Sequence, residues 1–187
     1  MRSSLLSTRR SPARRRLPAG AAALAAITIA ASPALPFRIN WTRSMPLGFY
    51  RVRPSEIRSG SRVLVCLPEG IARLGRQRRY LPRGSCPTGA SPVLKVIAAL
   101  PGDRVELRID SLVVNGVATT ATRLRDRDGR GRSLTHAPLG VSWVPDRTVW
   151  LLGLRPDRSW DSRYFGPVPL ASILGSAEPI LMWDGDE

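Results

Sequence analysis

The chain has 187 residues, enough for one domain with a real core plus a leader or anchor. Its 29 basic residues against 14 acidic ones give a formal net charge of +15, and all the basic residues but Lys95 are arginine. Such charge raises a nucleic-acid class, but the arginines are spread thinly and no binding motif or aromatic-interleaved basic helix accompanies them, so specific nucleic-acid binding is set aside; an affinity for anionic lipid headgroups stays compatible with the composition.

Residues 1–16 carry Arg2, Arg9, Arg10, Arg14, Arg15 and Arg16 and no acid. They read as a basic cytoplasmic N-terminus. Residues 17–37 then carry no charge, a length that crosses a hydrocarbon core of about 30 Å as a helix. The segment is rich in alanine and interrupted by Pro18, Pro33 and Pro36. Two readings stand. It is a membrane anchor with the arginines kept in the cytoplasm, or a signal segment cut near Ala30–Ala34. The anchor is favoured. Either way residues 38–187 are expected to form an extracytoplasmic domain.

The stretch Asn40–Tyr50 places Ser44 two residues before Pro46. Proline biases the preceding residue towards an extended conformation. Pro46 at the second position and Gly48 at the fourth suit a type I turn. Ser44 at such a corner presents a hydroxyl with its backbone N–H accessible.

Cys66 and Cys86 lie 20 positions apart, with no neighbouring pattern suited to zinc. In an oxidising compartment they are expected to pair. Closing that loop stabilises the fold by roughly 3 kcal/mol in a chain-entropy account. The enclosed insert, residues 67–85, is rich in Gly, Pro and Arg, with a short helix expected over 71–76.

Strands are expected at 62–66, within 91–100 (Val93–Ala99), at 105–109 and at 112–114. Asn115-Gly116 is a strong two-residue hairpin signal. Residues 123–138 are polar and glycine-containing, hence a loop. Further strands are expected at 148–152 and 180–183. Amphipathic helices are scarce, so the fold class is mainly β, with closely spaced short strands and a few turns of helix.

The only histidine, His136, sits in the polar loop, which argues against a Ser-His-Asp triad. No metal cluster is visible, and no cofactor is expected. Lys95 remains as a base for Ser44. Strand alternation puts Val93, Lys95 and Ile97 on one face. Apolar flanks strip water from the amine and lower its pKa. A free lysine is neutral in only about one copy in 2,500 at pH 7. Tuning it to pH 7–8 takes roughly 3.5–5 kcal/mol. Read from the strand alone, a lysine that snorkels to water is the better expectation.

Three ordered motifs change that weighing. They are Asn40-x-Thr-x-Ser-Met-Pro-Leu-Gly-x-Tyr50, Leu94-Lys-Val-Ile-Ala-Ala-Leu-Pro-Gly-Asp-Arg-Val105, and the run from Gly153 through Ser159, Asp161 and Arg163 to Val168. Together they resemble the type I signal peptidases, and more narrowly the conjugative-transfer branch, the TraF-type peptidases. The resemblance implies a β-rich catalytic fold of the signal-peptidase and LexA kind. It implies Ser44 as nucleophile, Lys95 as general base, Thr42 as oxyanion donor with the Ser44 N–H, and Ser159 as the residue orienting the lysine. Asp161 and Arg163 fall on a structural pair expected to share a face of an extended run. Val96 and Leu154 stand where leader peptidases usually carry an arginine and an acid, which is expected to weaken the network around that pair.

The implied substrate is an exported precursor, in particular a pilin subunit of a conjugation or type IV secretion apparatus, cut or cut and cyclised. Inner-membrane lipid and other components of that apparatus are the implied neighbours. Three rival readings are a general leader peptidase, a self-cleaving repressor-type Ser–Lys protein, and a non-enzymatic membrane-tethered β module that binds pilus components.

Overall fold

Short β-branched runs separated by Gly, Pro and Asp turns build an antiparallel β structure in the computed structural model, which describes residues 36–119 and 123–183. In chain order the elements are β1 (Phe37–Asn40), β2 (Gly48–Arg53), β3 (Arg62–Val65), α1 (Glu69–Gln77), β4 (Val93–Ala99), β5 (Arg104–Leu107), β6 (Leu112–Val114), β7 (Val117–Ala118), β8 (Gly140–Trp143), β9 (Thr148–Leu152), α2 (Ser162–Phe165), β10 (Val168–Pro169) and β11 (Ile173–Met182). Seven strands form one sheet in the order β1-β2-β11-β3-β4-β9-β10, and four form another in the order β7-β6-β5-β8.

The expected basic terminus and the anchor lie outside the described residues, apart from Pro36 and Phe37. Phe37 belongs to the sheet and Pro36 bonds to it. Phe37 opens β1 opposite Arg51, and the Pro36 carbonyl accepts from the Val52 N–H. The β structure therefore takes in Phe37 instead of starting at Arg38. No helix among the described residues is long and apolar enough to cross a membrane.

Strand β9 joins two cores. Its side chains alternate, so Val149 and Leu151 enter a core with Val63, Val65, Ile97 and Leu81. Trp150 and Leu152 enter a second core with Val105, Leu107, Leu112 and Tyr164. Strand β4 serves both in another way. Ile97 packs in the first core and Ala99 in the second, and the β4–β9 register shifts between them, as a bulge allows. A small third core of Met45, Tyr50, Leu94 and Ala177 lies beneath the Ser44 loop.

The Asn115-Gly116 hairpin forms as expected, with both residues at positive φ and Val114 opposite Val117. The helix in the insert is longer than expected, at Glu69–Gln77. The expected strand at 105–109 ends at Leu107, because the Arg108 N–H turns back to the Ser111 carbonyl. The last strand is much longer than residues 180–183. It begins at Ile173, and its early part hides behind Gly175, Ser176 and Pro179, with register shifts on both partner strands. Strands β1, β2 and β8 were not expected. In β2 the inward side chain is Tyr50 while Arg51 and Arg53 face outward, and β8 is exposed along its whole length, so it offers no apolar–polar contrast.

Candidate active site

Asn40, buried at the end of β1, organises the loop that carries Ser44. Its side-chain amide donates to the carbonyls of Thr42 (3.0 Å), Met45 (3.1 Å) and Pro46 (2.9 Å). Its Oδ1 accepts from the Thr42 N–H (3.1 Å) and the Thr42 hydroxyl (2.7 Å). The turn lies at Thr42–Met45, closed by the Met45 N–H and the Thr42 carbonyl, so Ser44 is its third residue. That corrects the expected turn through Pro46 and Gly48. Asn40 and the Tyr50 hydroxyl, which donates to the Pro46 carbonyl at 2.8 Å, hold the chain after Ser44 in place, and Gly48 already begins β2.

The loop is pinned from the other side by the segment after β9. The Arg155 N–H donates to the Ser44 carbonyl (3.1 Å), and Met45, fully buried, takes the Leu154 N–H on its sulfur (3.4 Å). A Cβ at Gly153 would run into the Ser159 hydroxyl and come within 2.9 Å of the Ser44 carbonyl. Glycine is what lets these three segments meet. The Ser44 N–H has no hydrogen-bond partner among the described residues, which leaves it available as a donor.

Lys95 does not snorkel. It is 4% exposed, and its Nζ donates to the Ser159 hydroxyl at 2.6 Å. Burial is the largest influence on the amine and pushes its pKa down. The nearby Asp161 carboxylate partly opposes this and the Arg163 guanidinium adds to it, leaving a pKa of about 8.

Asp161 and Arg163 form a two-point pair with no exposure to solvent: Nε to Oδ1 at 2.8 Å and Nη2 to Oδ2 at 3.0 Å. They do so across a helix start, not along an extended run. Asp161 is extended and caps α2, with Oδ1 accepting from the Arg163 N–H. Val96 and Leu154 bring no charged group to this pair. Asp161 also accepts from the Gly153 N–H (3.2 Å), and Arg163 donates to the Pro156 carbonyl (2.7 Å), so main-chain groups fill both partners.

Ser44, Thr42 and Lys95 line one cleft of about 590 Å³. Ser159, Asp161 and Arg163 are packed behind Lys95 and are not among its lining residues. His136 lies elsewhere and is not part of the cleft. Among the described residues no group of His, Cys, Asp or Glu could hold a metal. Two strand edges flank the opening. β1 is the edge strand of the large sheet, and β9 pairs with β4 only from Val96 onward, leaving the start of β4 open on that side.

The insert between the cysteines supplies a further wall. Cys66 and Cys86 are disulfide-bonded with Cα atoms 5.5 Å apart, and residues 80–85 face the cleft. Tyr80 is held there by its hydroxyl, which donates to Asp128 at 2.7 Å; Arg132 donates to the same carboxylate oxygen at 2.6 Å. The polar loop at 123–138 is thus fastened to the cleft wall. Sequence reasoning assigned no role to Asn40, Tyr80, Asp128 or Gly153. For Asn40 and Gly153 the signal was their presence inside the quoted motifs. For Asp128 there was none, since its partner Tyr80 is 48 residues away.

A family model described as signal peptidase, peptidase S26, matches residues 13–183. A probable conjugal transfer protein TraF of Sinorhizobium fredii is 41% identical over 152 residues, covering 79% of this chain and 78% of its own. A conjugal transfer protein TraF of Agrobacterium fabrum is 38% identical over 153 residues, covering 79% and 84%. Among solved structures, a signal peptidase I from Enterococcus faecalis aligns over 66% of this chain and 98% of its own, with 24% identity and a TM-score of 0.39. With the family model spanning the Ser44 loop, the lysine strand and the segment that closes over it, this chain belongs to the signal peptidase family, peptidase S26.

Proposed function

We propose that the chain is a membrane-associated serine endopeptidase with Ser44 as nucleophile and neutral Lys95 as general base, acting on exported precursors. One observation carries this reading: the single lysine of the chain is buried in the cleft that Ser44 lines, with its pKa lowered to about 8. A structural lysine gains nothing from such a position, whereas a base does.

The chemistry runs in two halves. As the Ser44 oxygen bonds to the scissile carbonyl carbon, its proton passes to the Lys95 amine and the carbonyl electron pair moves onto oxygen. The Ser44 N–H and the Thr42 hydroxyl stabilise that oxyanion, Thr42 by turning away from Asn40. The intermediate collapses, and the departing amine takes the proton from Lys95, leaving an acyl-enzyme on Ser44. Water then attacks with Lys95 again accepting the proton, and Ser44 leaves reprotonated. If the substrate's own amino group attacks in place of water, the product is cyclic. Ser159 holds the Lys95 amine in line throughout. The substrate lies extended between β1 and the open start of β4, so main-chain bonds supply affinity.

The conjugal-transfer names of the relatives support a pilin precursor of a conjugation apparatus as the substrate. The catalytic domain sits at the periplasmic face of the inner membrane. Trp41, Phe49 and Trp183 support that placement: Trp41 is 70% exposed, and the Trp183 ring lies 5.8 Å from Trp41 and 5.4 Å from Phe49, an apolar cluster beside the Ser44 loop suited to an interfacial layer.

The test is co-expression of the full-length chain with the pilin precursor from the same transfer system, read by intact mass. Wild type should convert the precursor, and Ser44→Ala and Lys95→Arg should not, since arginine keeps the charge and cannot give it up. A product lighter by one water than the linear cut form identifies cyclisation. Turnover by Lys95→Arg at the wild-type rate would remove the general-base role. Binding without cleavage by wild type would favour a tethered, non-enzymatic module, and cleavage of many unrelated precursors a general leader peptidase.

A further inference from the structure

Beside the cleft, on the far side of its insert wall, lies a second groove of about 800 Å³. One face of α1 forms its floor, with Glu69, Arg73, Arg76 and Gln77 at helical spacing, and Arg79 and Arg83 close it. Four arginines thus stand against one glutamate. Some arginines outside the groove find acids, Arg58 with Glu56, Arg108 with Glu106, Arg132 with Asp128 and Arg163 with Asp161, while others such as Arg43 and Arg147 have no ion pair among the described residues; what sets the groove apart is four arginines on one concave surface. Among the described residues Arg73, Arg79 and Arg83 have no ion pair.

Two features show the groove as built. Arg76 is fixed by donating to the Thr88 carbonyl at 3.1 Å, and it occupies the space that a side chain at Gly89 would need. Arg79 stands just after α1 at φ 58, a left-handed position where helices usually end on glycine. From there Arg79 lines the groove together with Arg83. The groove shares a wall with the cleft, since Leu81, Pro82 and Arg83 line both.

We propose that this groove binds a run of carboxylates in the protein substrate, an Asp- or Glu-rich segment continuous with the segment held in the cleft. The proposal rests on the peptidase reading of that cleft. Arginine forks match carboxylates in two-point geometry, and unpaired guanidinium groups in a concave site gain most from an anion that enters it. A concave site sharing a wall with a peptide cleft suits a polypeptide better than a flat layer of lipid headgroups. The groove thereby adds affinity for precursors whose acidic stretch lies next to the cut, without touching the reacting atoms.

Direct binding tests it first. Fluorescent hexaglutamate is titrated against the full-length chain, against Arg73→Gln/Arg79→Gln, and against Arg123→Gln/Arg130→Gln, which removes the same charge from the loop at 123–138. The groove pair should weaken binding at least fivefold and the control pair less than twofold, with wild-type affinity falling as salt is raised. Equal loss in both pairs would reduce the effect to net charge and overturn the proposal. Binding of phosphatidylglycerol vesicles, but not of the peptide, through Arg73 and Arg79 would overturn it in favour of lipid.

Cleavage kinetics give the second readout. A precursor peptide with a hexaglutamate extension should show a several-fold lower KM than the bare peptide, and Arg73→Gln/Arg79→Gln should abolish that difference. A difference that persists in the variant overturns the groove while leaving the peptidase intact. Groove-dependent binding by a chain that cleaves nothing upholds the anion site and removes the peptidase reading.

Discussion

The Nζ of Lys95 and the hydroxyl of Ser159 meet at 2.6 Å in the buried layer behind the cleft, 64 residues apart in sequence. The strand β4 brings the lysine, and the segment between β9 and α2 closes over it with Ser159. Among the described residues the amine's hydrogen-bond partner is one neutral hydroxyl, and Asp161 and Arg163 act on it from further off.

Cleavage should follow the neutral amine. With a pKa of about 8, Lys95 is neutral in about one molecule in ten at pH 7 and in half at pH 8. The rate kcat/KM should climb nearly tenfold per pH step below that value and level off above it. Stability carries the same signature. Below pH 8 both the folded and the unfolded chain hold this proton, and the folded state bears the full cost of roughly 3 kcal/mol. Between pH 8 and 10.5 the folded amine is already neutral while the unfolded one is not, so this group's contribution makes the fold more stable as pH rises. Lys95→Met should abolish turnover and flatten that part of the stability profile. Urea unfolding across this range, beside pH–rate curves, checks both.

Ser159→Ala removes the only hydrogen bond that the Lys95 amine makes among the described residues. A bond to a charged group contributes about 1.5–3 kcal/mol, so kcat/KM should drop about ten- to a hundredfold. The bond also favours the ammonium form, and its loss should move the midpoint of the pH–rate curve downward. An unchanged rate with an unchanged midpoint would mean that Ser159 does not position the lysine.

Asn40→Asp tests the Ser44 loop with almost no change of shape. The amide donates to three carbonyls, and a carboxylate in its place would turn an acceptor towards all of them. Destabilisation of about 1–3 kcal/mol should accompany a loss of kcat larger than any change in KM. Thermal melts and steady-state kinetics separate the two effects. A stable, fully active Asn40→Asp would show that the loop keeps its shape without this side chain.

Breaking the buried pair should cost far more than removing it. Asp161→Asn leaves the Arg163 guanidinium buried without its carboxylate, and about 3–5 kcal/mol of stability should go. Arg163→Leu strands the carboxylate and should cost a similar amount. The double variant Asp161→Asn/Arg163→Leu should be destabilised by less than the sum of the singles, because each alone leaves an unpaired charge. Urea midpoints of the four proteins give the coupling. Strict additivity would mean that the main-chain partners alone satisfy both groups.

Much of the β framework was legible. Arg62–Val65, Val93–Ala99 and Thr148–Leu152 are apolar, β-branched runs, and strands buried on both faces read that way. Asn115-Gly116 marked its hairpin through the backbone it alone tolerates well. The strands that escaped notice are those where burial alternates weakly or not at all. β8 is wholly exposed, and the part of β11 before Ile180 carries Gly175, Ser176 and Pro179. Their place in a sheet comes from partner strands over a hundred residues away in the case of β2 and β11, which local pattern does not encode.

The residue types and their order were set by the sequence alone: a serine before a proline, one lysine in an apolar strand, two cysteines bounding an insert, and a β-rich chain without a second plausible base. What only the tertiary structure decided is the state of those groups. A lysine in a strand can reach water or be shut in, because its stem is long enough for either. It is shut in here because Gly153 has no side chain, which lets Ser159 and the Ser44 loop close together beside the lysine. The turn at Ser44 likewise depended on Asn40, whose amide outweighed the local preference of Pro46 and Gly48 by satisfying three carbonyls at once. Local propensity is worth a fraction of a kilocalorie per residue, and a buried polar group left unpaired costs about 1–3 kcal/mol, so the long-range bonds prevail.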